Sequence, residues 1–126
     1  MIRSEAVHLS TLVDMVESGL GDRTLVGPIT SGLTGEQLAA LVRRAGTALR
    51  GTCASLVYAG ENHPLLPVAT LGAACAGVPF VPVNYRLEDR HLVDLIGRQP
   101  GARVLTDAST GRRLRAIGVG IDELDA

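Results

Sequence analysis

Arginine and amide side chains of this 126-residue chain stand at positions suited to binding an anion. Asn84, Tyr85 and Arg86 directly follow a short apolar run typical of a buried strand, and open parallel sheets bind ligands beyond the carboxyl ends of their strands. Further along, Arg112 and Arg115 are three residues apart, so a single helical turn would point both at one group. Because the planar donor fork of arginine suits phosphate, these residues form the candidate binding site. The alternative is a solvated cluster of surface arginines.

The segment Thr30–Gly35 is a second place where an anion could bind. Its Ser, Thr and Gly residues could present backbone amides to a phosphate at the start of a helix. However, Glu36 follows at once, and its negative charge would repel a phosphate. Thr34 and Gln37 have the spacing of a capping box, in which each side chain accepts a hydrogen bond from the other residue's backbone amide. We therefore predict an ordinary capped helix start at Thr34.

The other reactive side chains show no arrangement for nucleophilic or metal chemistry. None of the three histidines has a neighbouring Ser, Cys or paired carboxylate arranged for nucleophilic catalysis. Cys53 and Cys75 fit no metal-ligand spacing, and in a chain without a recognisable leader they are expected to be reduced, buried thiols. The acids near the end, Asp122, Glu123 and Asp125, are expected to be solvated. No metal site is predicted.

Strands and helices are expected to alternate from Thr24 onward. Apolar spacing predicts a helix over residues 9–17 and a longer one from Thr34 to a stop at Gly51. Helix 65–75 is apolar on nearly every side and should be buried all round. Pro82 cannot donate to a ladder, so the strand that contains it is expected to be short or to lie at an edge. This alternation is typical of an α/β fold with crossover units around a mostly parallel sheet. The remaining predicted strands are 24–26, 54–58, 80–83, 103–106 and 117–119, and the remaining helices are 88–96 and the single turn 111–116.

Composition narrows the class of protein. Aromatic residues make up only 2% of the chain, so a core of Leu, Val, Ile and Ala is thin and is expected to finish its packing against more protein. A net charge of −1 from evenly spread charges provides no basic stripe for nucleic acid. No apolar run approaches the ~20 residues of a membrane span. The first ten residues lack the apolar core of a signal peptide, so a cytoplasmic location is expected.

Two segments carry a family resemblance. Residues 33–38, LTGEQL, open the amphipathic helix, and residues 76–84, AGVPFVPVN, run from a helix end through a strand into a polar loop. In this order they resemble the first two core motifs of the adenylate-forming superfamily, which includes acyl-CoA synthetases, luciferases and peptide-synthetase adenylation domains. The continuation at residues 85–87, the helix to Ile96 and residues 101–105, GARVL, look like acyl-CoA synthetases in particular. Either motif alone would be weak evidence for this superfamily, whereas both motifs at this separation are fairly specific for it.

The resemblance implies that residues 1–126 form the N-terminal α/β subdomain of a larger AMP-binding domain. For the complete enzyme, of the fatty-acid ligase type, it implies that a carboxylate attacks ATP to give an acyl-adenylate and pyrophosphate. Coenzyme A then takes the acyl group, and a downstream glutamate helps to hold Mg²⁺. In acyl-CoA synthetases the loop matching Asn84, Tyr85 and Arg86 faces the nucleotide end of coenzyme A. Arginines at the place of Arg112 and Arg115 do the same.

The chain departs from the family where the family performs chemistry. None of its 12 basic residues is lysine, whereas the family uses a lysine in its phosphate loop and another in its C-terminal domain. The phosphate loop, the magnesium-holding glutamate, the ribose-binding aspartate and the hinge should all follow Asn84, and nothing there resembles them. This chain is therefore expected to be inactive alone and to hold no ATP, coenzyme A or Mg²⁺ tightly.

The expected partner is the remainder of the adenylating enzyme, or a second copy of the chain through exposed apolar surface. Two alternatives stay open. One is a free-standing interaction or scaffold domain, derived from such an enzyme, that performs no catalysis. The other is a small coenzyme A- or nucleotide-binding module that acts by itself.

Overall fold

A computed structural model of the protein describes residues 8–124. Most of the first ten residues, whose composition bears on a signal peptide, lie outside this part, as does Asp125. The helices are α1 (Ser10–Leu20), α2 (Gly35–Leu49), α3 (Leu66–Ala76), α4 (Asp89–Gly97) and α5 (Ala108–Ala116). The strands are β1 (Thr24–Val26), β2 (Leu33–Thr34), β3 (Ser55–Ala59), β4 (Phe80–Val83), β5 (Ala102–Thr106) and β6 (Asp122–Glu123).

Four strands form a parallel sheet in the order β4-β3-β5-β6. This confirms the α/β fold with a mostly parallel sheet. β4 is an edge strand, as Pro82 predicts, because proline has no amide to donate to a second neighbour. The short strands β1 and β2 form a separate antiparallel pair. The sequence analysis did not predict β2, which is only two residues long.

The central strand β3 has helices on both of its faces. Its side chains alternate, so Leu56 packs with Ala73 of α3 on one face. On the other face, Val57 packs with Leu92 of α4 and Leu114 of α5. All residues of β3 are buried, which agrees with the continuous apolar run that marks a strand covered on both sides. The result is a sheet between two helical layers.

The start of α2 and the contact of α2 with α3 follow the sequence closely. The Gln37 amide donates to Thr34 Oγ1 at 3.3 Å, and the Thr34 amide donates to Gln37 Oε1 at 3.0 Å, so the predicted capping box is confirmed. Gly51 has a φ of +73°, as expected for a left-handed helix stop. A Cβ on Gly46 would lie 3.1 Å from Cys75 Cβ and 3.3 Å from the Gly72 carbonyl oxygen. The glycine therefore permits the close packing that its place in the helix predicts.

One predicted strand is wrong. Residues 117–119 close α5 instead of forming a strand, because the amides of Gly118 and Val119 donate to the carbonyls of Arg115 and Leu114. Gly118 has a φ of +84°, a conformation that favours glycine and terminates the helix. The strand follows later, at β6. α5 itself is longer than the predicted turn and begins at Ala108.

The apolar faces of two helices are only partly buried. In α1 only Val13 is buried, while Leu12 and the preceding Leu9 remain 43% and 48% exposed. α1 also runs past Gly19 to Leu20, and Arg43 of α2 holds it by bonding to Asp14 and Glu17. Helix α3 is buried only along Ala69, Gly72 and Ala73. Its other residues are half-buried, so the prediction that α3 is buried all round is wrong for residues 8–124.

Candidate functional site

The candidate residues lie at the carboxyl edge of the sheet. Asn84 follows β4, Gly60 follows β3 and Asp107 follows β5, and these three strands are parallel neighbours. The loops that leave them therefore emerge on the same side of the sheet, where open α/β sheets place ligands. The helices that follow β4 and β5 are α4 and α5.

Residues 84–87 form a tight polar turn. Asn84 organises it: its Oδ1 accepts from the Arg86 amide at 3.0 Å, and its carbonyl accepts from the Leu87 amide at 3.2 Å. The Arg86 guanidinium lies 5.6 Å from the centre of the Tyr85 ring, and its Nε donates to Tyr85 Oη at 3.2 Å. The hydrogen bond to Tyr85 raises the pKa of Arg86, so this side chain stays charged throughout the physiological range. The predicted loop residues thus form one unit with an exposed cation.

Asp107 joins the loop after β3 to the start of α5. Its carboxylate accepts from the Thr110 amide at 2.9 Å, which caps α5, and from the Glu61 amide at 2.8 Å. Burial raises the pKa of Asp107, but the hydrogen bonds from Glu61 and Thr110 more than offset it, so the pKa lies below its ordinary value. The Tyr58 hydroxyl donates to the Glu61 carbonyl at 2.5 Å. These hydrogen bonds of Asp107 were not predicted, although an Asp that directly precedes a helix is a recognisable capping residue.

The three arginines of α5 have different surroundings. Arg112 is exposed, and no carboxylate of residues 8–124 lies within ion-pair distance of it. Arg115 Nη1 pairs with Glu123 Oε1 at 2.7 Å. Arg113, which the sequence analysis missed, donates to the carbonyls of Tyr85 and Leu87 and to Asp89. It brings α5 and the 84–87 turn together, while a joint role of Arg112 and Arg115 on one phosphate stays a prediction.

The segment Thr30–Gly35 is a helix start, as predicted. The amides of Ser31 and Gly32 donate to the Pro28 carbonyl at 3.2 and 2.7 Å, and the Gly35 amide donates to the Arg23 carbonyl at 2.9 Å. These amides are therefore directed into the protein and away from any external anion.

Cys53 and Cys75 are half-buried free thiols. Asp122 and Glu123 take part in ion pairs, with Arg103 at 3.1 Å and Arg115 at 2.7 Å, so they are engaged more than solvated tail acids would be. Within residues 8–124, no His, Cys, Asp and Glu side chains gather in a group of three or more that could hold a metal ion. Over the same residues no helix is long and apolar enough to span a membrane.

An open apolar groove of about 220 Å³ lies on the sheet face that α2 and α3 only partly cover. The Arg103–Asp122 ion pair stands among its lining side chains. The apolar lining comes from α2, α3, β3 and β5, from the residue before α3 and from the residue after β6. These lining residues are Ala45, Ala48, Leu49, Leu56, Leu65, Val68, Ala69, Leu105 and Leu124.

Solved structures of adenylate-forming enzymes are similar to this chain over most of its length. A benzoate CoA ligase from Burkholderia xenovorans LB400 matches 94% of the chain with a TM-score of 0.78 and 20% sequence identity. A protein assigned as a long-chain-fatty-acid CoA ligase, from Rhodopseudomonas palustris CGA009, matches 94% with a TM-score of 0.81 and 17% identity. The N-terminal domain of FACL13 from Mycobacterium tuberculosis matches 93% with a TM-score of 0.76 and 19% identity.

These matches establish the fold. The chain has the fold of a part of these structures, as its resemblance to the adenylate-forming superfamily implies. The chain spans 25%, 33% and 31% of the lengths of those three structures. No model of a known protein family matches the sequence, and no curated protein does.

Proposed function

We propose that this chain is the N-terminal part of an AMP-forming acyl-CoA ligase of the fatty-acid type, and that it contributes to binding coenzyme A. The observation that carries the proposal is the likeness over more than nine-tenths of the chain to structures described as CoA ligases. In the complete enzyme, a carboxylic acid and ATP would give an acyl-adenylate and pyrophosphate. The coenzyme A thiol would then take the acyl group and release AMP.

Residues of this chain fit the nucleotide end of coenzyme A. Arg86 and Arg112 are exposed on elements that meet at the carboxyl edge of the sheet, and no carboxylate of residues 8–124 lies within ion-pair distance of either. They would hold phosphate oxygens through their planar donor forks. Asn84 and Tyr85 would shape the turn that presents Arg86. Arg115 would contribute to the positive potential beside the phosphates, and its pairing with Glu123 would reduce that contribution.

The same chain does not fit ATP and Mg²⁺. It contains no lysine, and the amides of Ser31, Gly32 and Gly35 are bonded within the protein. We therefore assign the adenylation step to residues other than those of this chain and expect the chain alone to be inactive. An ATP–pyrophosphate exchange assay tests this: acid-dependent exchange by the 126-residue chain would overturn the assignment.

A titration of the chain with coenzyme A, followed by NMR, tests the binding role. Chemical-shift changes should be confined to residues 84–87 and α5. A dissociation constant in the millimolar range is sufficient to support the binding role. The double substitution Arg112→Ala, Arg115→Ala should weaken binding roughly fivefold or more, because it removes charge beside the phosphates. The control is Arg98→Ala at the C-terminal end of α4, which removes an arginine paired with Asp94. Unchanged affinity in the double variant, with the control equal to wild type, would remove the binding role.

A free-standing scaffold domain is the second candidate, because the absence of lysine fits a domain without catalysis as well as it fits one part of a ligase. The mass and activity of the native polypeptide in its source cell separate the two candidates. A polypeptide of several hundred residues that forms acyl-CoA supports the ligase. A product near 13.1 kDa without associated activity supports the scaffold. Cell fractionation in the same experiment tests the proposed cytoplasmic location.

A further inference from the structure

We infer that Arg113 is a positioning residue that holds the 84–87 turn against α5 and so sets where Arg86 stands relative to Arg112. The inference rests on the proposed coenzyme A role of those two arginines. Arg113 itself would not touch the ligand, since its donors are already directed to the protein.

The guanidinium of Arg113 reaches three acceptors. Nη1 donates to the Tyr85 carbonyl at 2.8 Å, and Nη2 donates to the Leu87 carbonyl at 3.0 Å. Nη2 and Nε both donate to Asp89 Oδ1, at 2.7 and 3.1 Å. Tyr85 and Leu87 lie on the segment that joins β4 to α4, and Asp89 is the first residue of α4, so the three acceptors are between 24 and 28 residues away in sequence. One side chain of α5 therefore ties down the neighbouring loop at three points.

The bonds of Arg113 restrain the distance between the 84–87 turn and α5, which the local bonds of the turn cannot do. The bonds from the Arg86 and Leu87 amides to Asn84 shape the turn, but they join residues of the same turn. They leave the distance from the turn to α5 undetermined. The bonds of Arg113 cross from one element to the other, so they restrain that distance, together with the packing of Leu87 against the core cluster that includes Leu114.

The charge of Arg113 is also accounted for within the protein. Asp89 lies 2.7 Å from Nη2, so the pair is close to neutral, and the Arg113 side chain is 38% exposed. Arg112, one residue earlier, is exposed and has no such partner among the residues that the structure describes. Two neighbouring arginines of one helix therefore have different tasks: Arg113 places the turn, and Arg112 remains open to a ligand.

An arginine is required here for geometric reasons. Its planar group offers five N–H donors in a rigid fork, whereas lysine offers a compact ammonium at the end of a flexible stem. Lysine at position 113 would retain the charge but could not span both carbonyls and the carboxylate. A comparison of Arg113→Lys with Arg113→Ala therefore separates geometry from charge.

Hydrogen exchange of the free chain tests the positioning directly and needs no ligand. In Arg113→Ala the amides of Arg86 and Leu87 should exchange roughly tenfold faster, because the turn opens more often once it is released from α5. The amides of β3 should keep their wild-type rates, which shows that the variant is folded. Arg98→Ala, which removes the paired arginine that directly follows α4, should leave the exchange rates of the turn unchanged. Unchanged exchange at Arg86 and Leu87 in Arg113→Ala would overturn the inference.

Coenzyme A titrations test the functional half. Arg113→Ala and Arg113→Lys should both weaken binding, by about the same factor of three or more, because both lose the fork. Wild-type affinity in Arg113→Lys would show that a positive charge at this position is sufficient, and it would overturn the positioning role. If the wild-type chain itself shows no binding at millimolar coenzyme A, the proposed function fails, and the exchange rates alone then decide whether Arg113 places the turn.

Discussion

At the residue scale, one close packing constraint lies where α5 meets the residues of β5 and β6. A Cβ on Gly111 would stand 2.7 Å from Thr106 Oγ1, 2.8 Å from Glu123 Oε1 and 3.0 Å from Ile121 Cδ1. We expect Gly111→Ala to destabilise the protein by about 1–2 kcal/mol, because overpacking outweighs the gain of about 1 kcal/mol in helix propensity.

Urea unfolding measures the effect of Gly111→Ala, and Gly97→Ala in α4 is the matched control. A Cβ on Gly97 meets nothing within 4 Å, so this variant should be as stable as wild type or slightly more so. A Gly111→Ala protein as stable as the Gly97→Ala protein would contradict the packing argument.

A second residue-scale prediction concerns Asp107 and pH. Burial raises its pKa, and the bonds from Glu61 and Thr110 offset this, so its folded pKa lies below the ordinary value of about 3.9. The carboxylate therefore contributes stability that is fully present above about pH 4 and is lost as pH falls through the folded pKa. In Asp107→Asn, which retains a capping acceptor but cannot titrate there, the free energy of unfolding should fall less between pH 7 and pH 3 than in wild type.

The comparison needs urea unfolding of both proteins at each pH. Asp107→Ala, which removes the cap as well, should cost about 1 kcal/mol at pH 7. Equal acid sensitivity of wild type and Asp107→Asn would show that this carboxylate does not contribute to the pH dependence.

At the element scale, α2 and α3 pack closely against each other. A Cβ on Gly72 would lie 2.7 Å from the Cβ of Ala45. Gly72→Ala alone should therefore destabilise by about 1–2 kcal/mol through overpacking. Adding Ala45→Gly moves the methyl group from one helix to the other and cancels the propensity terms. The double variant should then unfold within about 1 kcal/mol of wild type, and additive effects of the two substitutions in a double-mutant cycle would refute the contact.

The elements also show how far the sequence predicts this structure. Local signals succeed: the Thr34 capping box, the left-handed Gly51 and the edge strand at Pro82 each depend on the chemistry of neighbouring residues. The strand predicted at 117–119 fails because those residues complete α5, where Val119 packs against the core and Ile117 is exposed. Composition cannot distinguish these two uses of short apolar runs.

The same limit applies to the candidate site. The turn at Asn84 and the exposed Arg112 are visible in the sequence, since strand ends and arginine spacing are local features. The task of Arg113 depends on acceptors 24 to 28 residues away, and only the parallel arrangement of β4, β3 and β5 brings them within reach. No spacing rule separates Arg113 from its neighbour Arg112.

At the scale of the whole molecule, the two faces of the sheet are unequally covered. α4 and α5 pack over one face together with Val119 and Ile121. On the other face, α2 and α3 leave an apolar groove of about 220 Å³ open beside β5 and β6. Open apolar surface of this kind is commonly an interaction site. In the proposed ligase, the remainder of the enzyme would cover it, and in the isolated chain a second copy is the available cover.

We therefore expect the isolated chain to associate with itself as its concentration rises from micromolar to millimolar, and sedimentation velocity measures this. Ala48 is exposed, lies on α2 and lines the groove, so Ala48→Glu should keep the chain monomeric by placing a charge in the apolar contact. Ala40→Glu makes the same change at an exposed position of the same helix that is not among the lining residues, and it should associate as wild type does. Because both variants add one carboxylate to α2, net charge cannot explain a difference between them. Equal association of the two variants would show that copies meet through another surface and would leave the groove without a role in self-association.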